Sequence, residues 1–174
     1  MSFNGLGLFT SPGLVMTPRR TSEQVVLGAL DRLGARAARV VDVGTGSGAL
    51  AIAIAVAAPR VEVWATDSDP HALGAQFGIT RPGVPAEVRK VCDDELDRSR
   101  HRSEQVPMPN VNAVLEAVPS QGRARERDPE SAVFSTGDGL DLYRRLLSSA
   151  DKRLTASGAV ILQVHRPGCS RRAG

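Results

Sequence analysis

Val40-Val41-Asp42-Val43-Gly44-Thr45-Gly46-Ser47-Gly48 is the stretch that decides how this 174-residue chain folds. Its first four residues suit a buried strand, because β-branched side chains pack well on a pleated surface. Gly44, Gly46 and Gly48 then let the backbone turn tightly and approach a ligand with no Cβ in the way. The apolar segment over 49–58 is long enough for a helix whose N-terminus points at that ligand. Strand, glycine turn and helix start, in that order, make a pocket for a nucleotide-type cofactor.

Working outward, Thr21 stands three residues before Gln24, the spacing of a capping box. Val25, Val26, Leu27, Leu30 and Leu33 supply an apolar helical face that Gly34 ends. Beyond the glycine turn, residues 61–66 alternate as a strand ending on Asp67, and Asp69-Pro70 opens a short helix over 71–76. A further strand falls within 84–91, and the Arg-, Ser-, Asp- and Pro-rich sequence after it reads as a loop to 109. Residues 111–115 form a short strand, and the polar run 122–130 a surface loop. Leu140, Tyr143, Leu146, Leu147, Ala150 and Leu154 recur at helical spacing behind Asp138 as N-cap. Gly158 turns the chain into a last strand over 159–164.

Strands alternating with helices predict an α/β, Rossmann-like fold: a parallel sheet with helices on both faces. Ligands of such sheets sit beyond the carboxyl ends of the strands, where the strand order reverses. That rule places residues 44–48, Asp67 and residues 115–119 around one crevice. Trp64, Phe134 and Tyr143 read as packing residues.

Composition fits a soluble domain, with 41% hydrophobic and 24% charged residues. Only 3% of residues are aromatic, so the core must come from Val, Leu, Ile and Ala. The net charge of +3 comes largely from Arg clusters at 98–102, 123–127 and 166–172, read as solvated surface. Cys92 and Cys169 have no metal spacing and read as free thiols in a reducing cytoplasm. His71, His101 and His165 form neither a triad nor a metal set with nearby acids. No stretch approaches the ~20 apolar residues of a membrane span, and no signal peptide is evident. The expected organisation is an N-terminal segment over 1–20, a cofactor-binding domain over 21–166 and a basic tail over 167–174.

Two cofactors fit a glycine turn followed by an acid at the end of the next strand. Asp67 is placed to accept hydrogen bonds from both hydroxyls of a ribose, which NAD and S-adenosyl-L-methionine (SAM) share. Asp42 separates them. An acid two residues before the first glycine repels a pyrophosphate but suits the positive ammonium and sulfonium of SAM. Its alternative reading is a carboxylate that caps the helix or braces the loop.

Asp42-Val43-Gly44-Thr45-Gly46-Ser47-Gly48-Ala49 resembles the SAM motif of class I methyltransferases, and especially the HemK/PrmC family. That family methylates a glutamine amide in peptide chain release factors. Pro18, Arg19 and Glu23 match its Pro-Arg-Pro-Glu-Thr-Glu segment, and residues 65–73 resemble its second motif. Asp128-Pro129, Ala132 and Asp138-Gly139-Leu140-Asp141 resemble its Glu-Pro…Ala-Leu…Asp-Gly-Leu-Asp stretch. The resemblance runs from about Leu14 to Val164. It implies SAM contacts from Asp42, Gly44, Thr45, Gly46, Gly48, Asp67 and Ser68, and an adenine contact from Asp94. It further implies a chain shortened at both ends, lacking the family's N-terminal helical domain and the usual C-terminal two-stranded hairpin. The last strand would then be an open sheet edge, available to a second copy.

The family's catalytic Asn-Pro-Pro-Tyr falls on Ala117-Val118-Pro119-Ser120, so one proline survives. An amide nitrogen is a poor nucleophile, and the family's Asn oxygen and the next carbonyl align it by accepting its hydrogens. Ala117 offers no side-chain acceptor; Val118, through its carbonyl, and Pro119 would line the transfer pocket. The resemblance thus supports a protein glutamine methyltransferase, a SAM-binding module that has lost transfer, or a nucleic-acid methyltransferase whose Arg clusters grip phosphates.

Overall fold

The computed structural model describes residues 2–7, 18–67, 88–91, 111–117 and 141–163. A short antiparallel hairpin, β1 (Ser2–Phe3) with β2 (Leu6–Gly7), precedes a 3-10 turn at Arg20–Ser22 and helix α1 (Glu23–Leu33). Then come β3 (Ala38–Val43), α2 (Ala49–Ala57), β4 (Val61–Thr66), β5 (Val88–Val91), β6 (Val111–Ala117), α3 (Asp141–Asp151) and β7 (Leu154–Gln163). The five long strands pair in the order β5-β4-β3-β6-β7, all parallel. The order reverses between β3 and β6, so the switch point lies at the carboxyl end of β3. The expected parallel α/β sheet is present.

Two cores flank the sheet. On one face α1 and α2 bury Val25, Val26, Ala29 and Leu33 together with Val40, Val63 and Ile54. Residues 49–55 of α2 are all buried, and alternating Ala with Leu and Ile lets this helix lie close against both the sheet and α1. On the other face Leu146 and Ala150 of α3 pack with Val41, Val43 and Trp64. Each fully buried aliphatic side chain stabilises the fold by roughly 1.5–3 kcal/mol. Trp64 is a core residue, as expected. Phe3, only 1% exposed, plugs the α1–α2 core from the hairpin, a role its local sequence does not announce.

Three local expectations change. Thr21 and Gln24 form no capping box, because residues 20–22 wind as a 3-10 turn and Ser22 makes no side-chain cap. Leu154 opens β7 rather than closing α3, and Gly158 lies inside β7 rather than at a turn before it. The ladder explains the second point. Val111 pairs with Leu154 but Ala113 pairs with Ala159, so β7 bulges between them. A Cβ on Gly158 would sit 2.8 Å from Leu154 Cδ2 and 3.0 Å from Thr155 O, so the Leu154 side chain would have to move to admit one. Arg32 of α1 donates to Ser157 O at 3.0 Å and holds the bulge against the helix. The helix over 71–76 and the N-cap at Asp138 lie outside the described residues. Among the described residues, β7 is the last strand of the sheet and pairs only with β6.

Candidate functional site

The loop between β3 and α2 is built as its glycines demand. Gly44, Gly46 and Gly48 have φ of 65°, 50° and 70°, in the left-handed region that side chains with a Cβ rarely enter. Crowding does not explain Gly44 or Gly46. A Cβ on Gly44 would meet no described atom within 4 Å, so the loop faces open space there. Gly48 stands at the N-cap of α2 and accepts from Ile52 N at 2.9 Å.

Asp42 holds the loop from beneath. It is 2% exposed, and its Oδ2 accepts from Thr45 Oγ1 at 2.6 Å and from Ala51 N at 3.2 Å. The second bond satisfies one of the free N–H groups in the first turn of α2, a cap supplied from the neighbouring strand. Both donors use one oxygen; among the described residues nothing donates to Oδ1. Burial pushes the Asp42 carboxyl up from 3.8 to about 7, against the Thr45 hydroxyl and Ala51 amide that lower it. The like charge of Asp67 raises it further.

A second set of bonds ties the loop to β4. Thr45 N donates to Thr66 O at 2.8 Å, and Gly46 N donates to Asp67 Oδ2 at 2.7 Å. Asp67 therefore stands at the carboxyl end of β4 beside the glycine turn, where its motif predicts. The structure brings Asp42, Gly44, Thr45, Gly46, Gly48 and Asp67 into one braced unit at the switch point. Ser68, Asp94, Val118 and Pro119 lie outside the described residues. Glu23, of the Pro-Arg-Pro-Glu-Thr-Glu-like segment, accepts from Asn4 N at 3.0 Å and joins the hairpin to the start of α1.

Sequence reasoning passed over a polar cluster on the other side of the switch point. Ser22 Oγ donates to Gln163 Oε1 at 2.9 Å, and Gln163 Nε2 donates to Thr21 Oγ1 at 2.9 Å. Tyr143 OH donates to Gln163 O at 3.2 Å from the opposite face. Gln163 lies more than 140 positions from Thr21 and Ser22, so no local spacing reveals the cluster. Among the described residues no group of His, Cys, Asp and Glu is arranged to hold a metal ion, and no helix is long and apolar enough to cross a membrane.

The chain is similar to known methyltransferases in sequence and in fold. The family model described as Ribosomal protein L11 methyltransferase (PrmA) matches residues 19–96. The release factor glutamine methyltransferase of Moorella thermoacetica is 35% identical over 156 residues, which cover 86% of this chain and 54% of that protein. The chain spans about half the length of the curated relatives it matches. Among solved structures, ribosomal protein L11 methylase from Lactobacillus delbrueckii subsp. bulgaricus matches with a TM-score of 0.55 at 19% identity, covering 87% of this chain and 63% of that one. The glycopeptide N-methyltransferase MtfA complexed with (S)-adenosyl-L-methionine matches with a TM-score of 0.53 at 19% identity, covering 82% and 53%. The fold is that of the class I methyltransferases, and in sequence the chain is similar to the release factor glutamine methyltransferases.

Proposed function

We propose that this chain is the SAM-binding domain of a protein glutamine methyltransferase acting on peptide chain release factors. The observation that carries the reading is the braced loop, in which Asp42 and Asp67 hold one glycine turn from two sides. Its residues fit SAM. Asp42 is buried, its Oδ1 receives no hydrogen bond from a described residue, and the charge of Asp67 near it is of like sign. Burial and the charge of Asp67 disfavour the Asp42 carboxylate, a cation beside it favours that form, and the methionine end of SAM carries two positive centres. Open space at Gly44 leaves the backbone accessible, and Asp67 stands where a ribose would meet it.

In this reading Gly44, Thr45, Gly46 and Gly48 wrap the cofactor, Asp42 meets its methionine end, and Asp67 and Ser68 hold the ribose. Asp94 contacts the adenine. When bound, SAM supplies a methyl group activated by a sulfonium. The chain's part is to align the acceptor amide: the Val118 carbonyl accepts one amide hydrogen, and Pro119 excludes water beside it. We place the working unit within residues 21–166, with the basic run 167–174 as a tail, and the protein in the cytoplasm. A second reading, a SAM-binding module without transfer, is favoured by Ala117, which has no acceptor where the family carries Asn.

Calorimetric titration of the folded chain with SAM tests both readings. We expect saturable heat at micromolar concentrations, and its absence would overturn both. Labelled methyl transfer to a release factor then divides them.

A further inference from the structure

The acceptor side of the site has a feature that the family motif does not supply. Gln163 ends β7, and its ladder partner is Ala117, the last residue of β6. Neighbouring strands lie about 4.8 Å apart, so a carboxamide-bearing residue stands beside the position that lacks one. Alternation along β7 fixes its face. Val160 and Leu162 pack with the α3-side core, while Ile161 packs with the α1-side core. Gln163 therefore points to the α1 side, where Ser22 and Thr21 receive it.

Those two hydroxyls hold the amide group in place, one donating to it and one accepting from it. Ser22 is buried, and its hydroxyl donates to Oε1, while Nε2 donates to Thr21. A carboxamide has two donor hydrogens and two acceptor lone pairs. Among the described residues one of each is used, so one N–H and one lone pair remain. A primary carboxamide carries an acceptor for that N–H and a donor for that lone pair. Tyr143 pins the Gln163 carbonyl from the α3 side, so both helical layers hold this residue at the carboxyl end of the sheet.

We infer that Gln163 is a specificity-determining residue that pairs with the acceptor's primary carboxamide, a contact made from β7 because Ala117 cannot make it from β6. The inference rests on the proposed glutamine-methylating function and assigns part of its acceptor site. Gln163 orients the acceptor through two hydrogen bonds, and Ser22 and Thr21 act through Gln163 as positioning residues.

The test uses the full chain saturated with S-adenosylhomocysteine and two capped peptides, acetyl-Gly-Gln-Gly-amide and its Glu counterpart. Side-chain NH2 resonances of Gln163, assigned by their loss in Gln163→Glu, are followed by NMR during titration. The Gln peptide should shift them and the Glu peptide should not. Gln163→Leu should weaken the Gln peptide at least tenfold while S-adenosylhomocysteine affinity stays within twofold. A melting curve for Gln163→Leu, and the milder Ser22→Ala, which frees the amide without removing it, separate recognition from misfolding. Unmoved Gln163 resonances, equal binding by Gln163→Leu, or no peptide binding by the cofactor-loaded wild type would each overturn the inference. Failure of the wild type to bind S-adenosylhomocysteine would instead overturn the proposed function on which it stands.

Discussion

The two sides of the switch point are held together by different kinds of contact. On the β3–β4 side, the bonds that shape the loop stay within one strand–helix–strand unit: Asp42 to Thr45, Asp42 to Ala51, Thr45 to Thr66 and Gly46 to Asp67. On the β6–β7 side, Gln163 reaches Thr21 and Ser22 across more than 140 residues. The first side is assembled within consecutive elements, β3, α2 and β4. The second exists only once the sheet has formed and α1 lies across it. The cofactor side should therefore fail abruptly under single substitutions in its loop, and the acceptor side should change by degrees.

The largest effect is expected at Gly46. Its φ of 50° excludes a β-branched residue, and forcing one there costs about 1–3 kcal/mol in strain or shifts the loop. The nearest atom to an added Cβ is Gly44 O at 3.9 Å, an ordinary contact, so the fault is conformational and not a clash. Gly46→Val should abolish calorimetric heat with SAM, as should Asp67→Ala, which removes the partner of Gly46 N. Normal SAM binding by either variant, with melting curves close to wild type, would break the contrast between the two sides.

How much of this could be read from the sequence follows the same division. Residues 40–48 predicted a strand, a turn and a helix start, and β3 ends at Val43 while α2 begins at Ala49. Strand β4 matched its predicted span, 61–66, because alternation and the terminal Asp67 are local signals. The capping box at Thr21 failed because residues 20–22 wind as a 3-10 turn and Ser22 takes the N-cap position, while the Thr21 hydroxyl accepts from Gln163, a partner no helix signal contains. Gly158 looked like a turn because glycine marks both turns and bulges, and only the β6 ladder tells which. Asp42 was readable as an acid suited to a cation. That it also braces the loop depends on Ala51 N lying within reach, which the spacing left open as an alternative.

Those two roles of Asp42 give the next largest effect. Thr45 and Ala51 both donate to Oδ2, so Asp42→Asn can keep the bracing through its single amide oxygen while losing the charge. The wild-type carboxyl, raised from 3.8 to about 7, binds its proton more tightly in the folded chain than in the unfolded one. Its contribution to stability is therefore full below about pH 4 and is lost as pH rises through about 7. Cofactor affinity should run the opposite way, because the cation selects the carboxylate. It should fall by up to about tenfold per pH unit below 7 and level off above it. Asp42→Asn should flatten both curves and bind SAM about tenfold more weakly at pH 8. A variant that keeps the pH slope, by melting or by calorimetry, would assign the titration to another group.

The smallest effect is expected on the acceptor side, where the missing device can be put back. Ala117→Asn with Val118→Pro returns two elements of the family's motif to the carboxyl end of β6, next to the ladder partner Gln163. Orientation of a bound nucleophile accounts for large rate factors only when all aligning groups act together. The rest of the motif, at Pro119-Ser120, would still lack the family's final Tyr. A gain of a few-fold in labelled methyl transfer to a release factor is therefore expected, with SAM affinity unchanged because the β3–β4 loop is untouched. If the gain disappears in a Gln163→Leu background, the two strands share one acceptor site. If it persists in full there, β6 acts alone, and the division of the molecule runs between β6 and β7 instead of between β3 and β6.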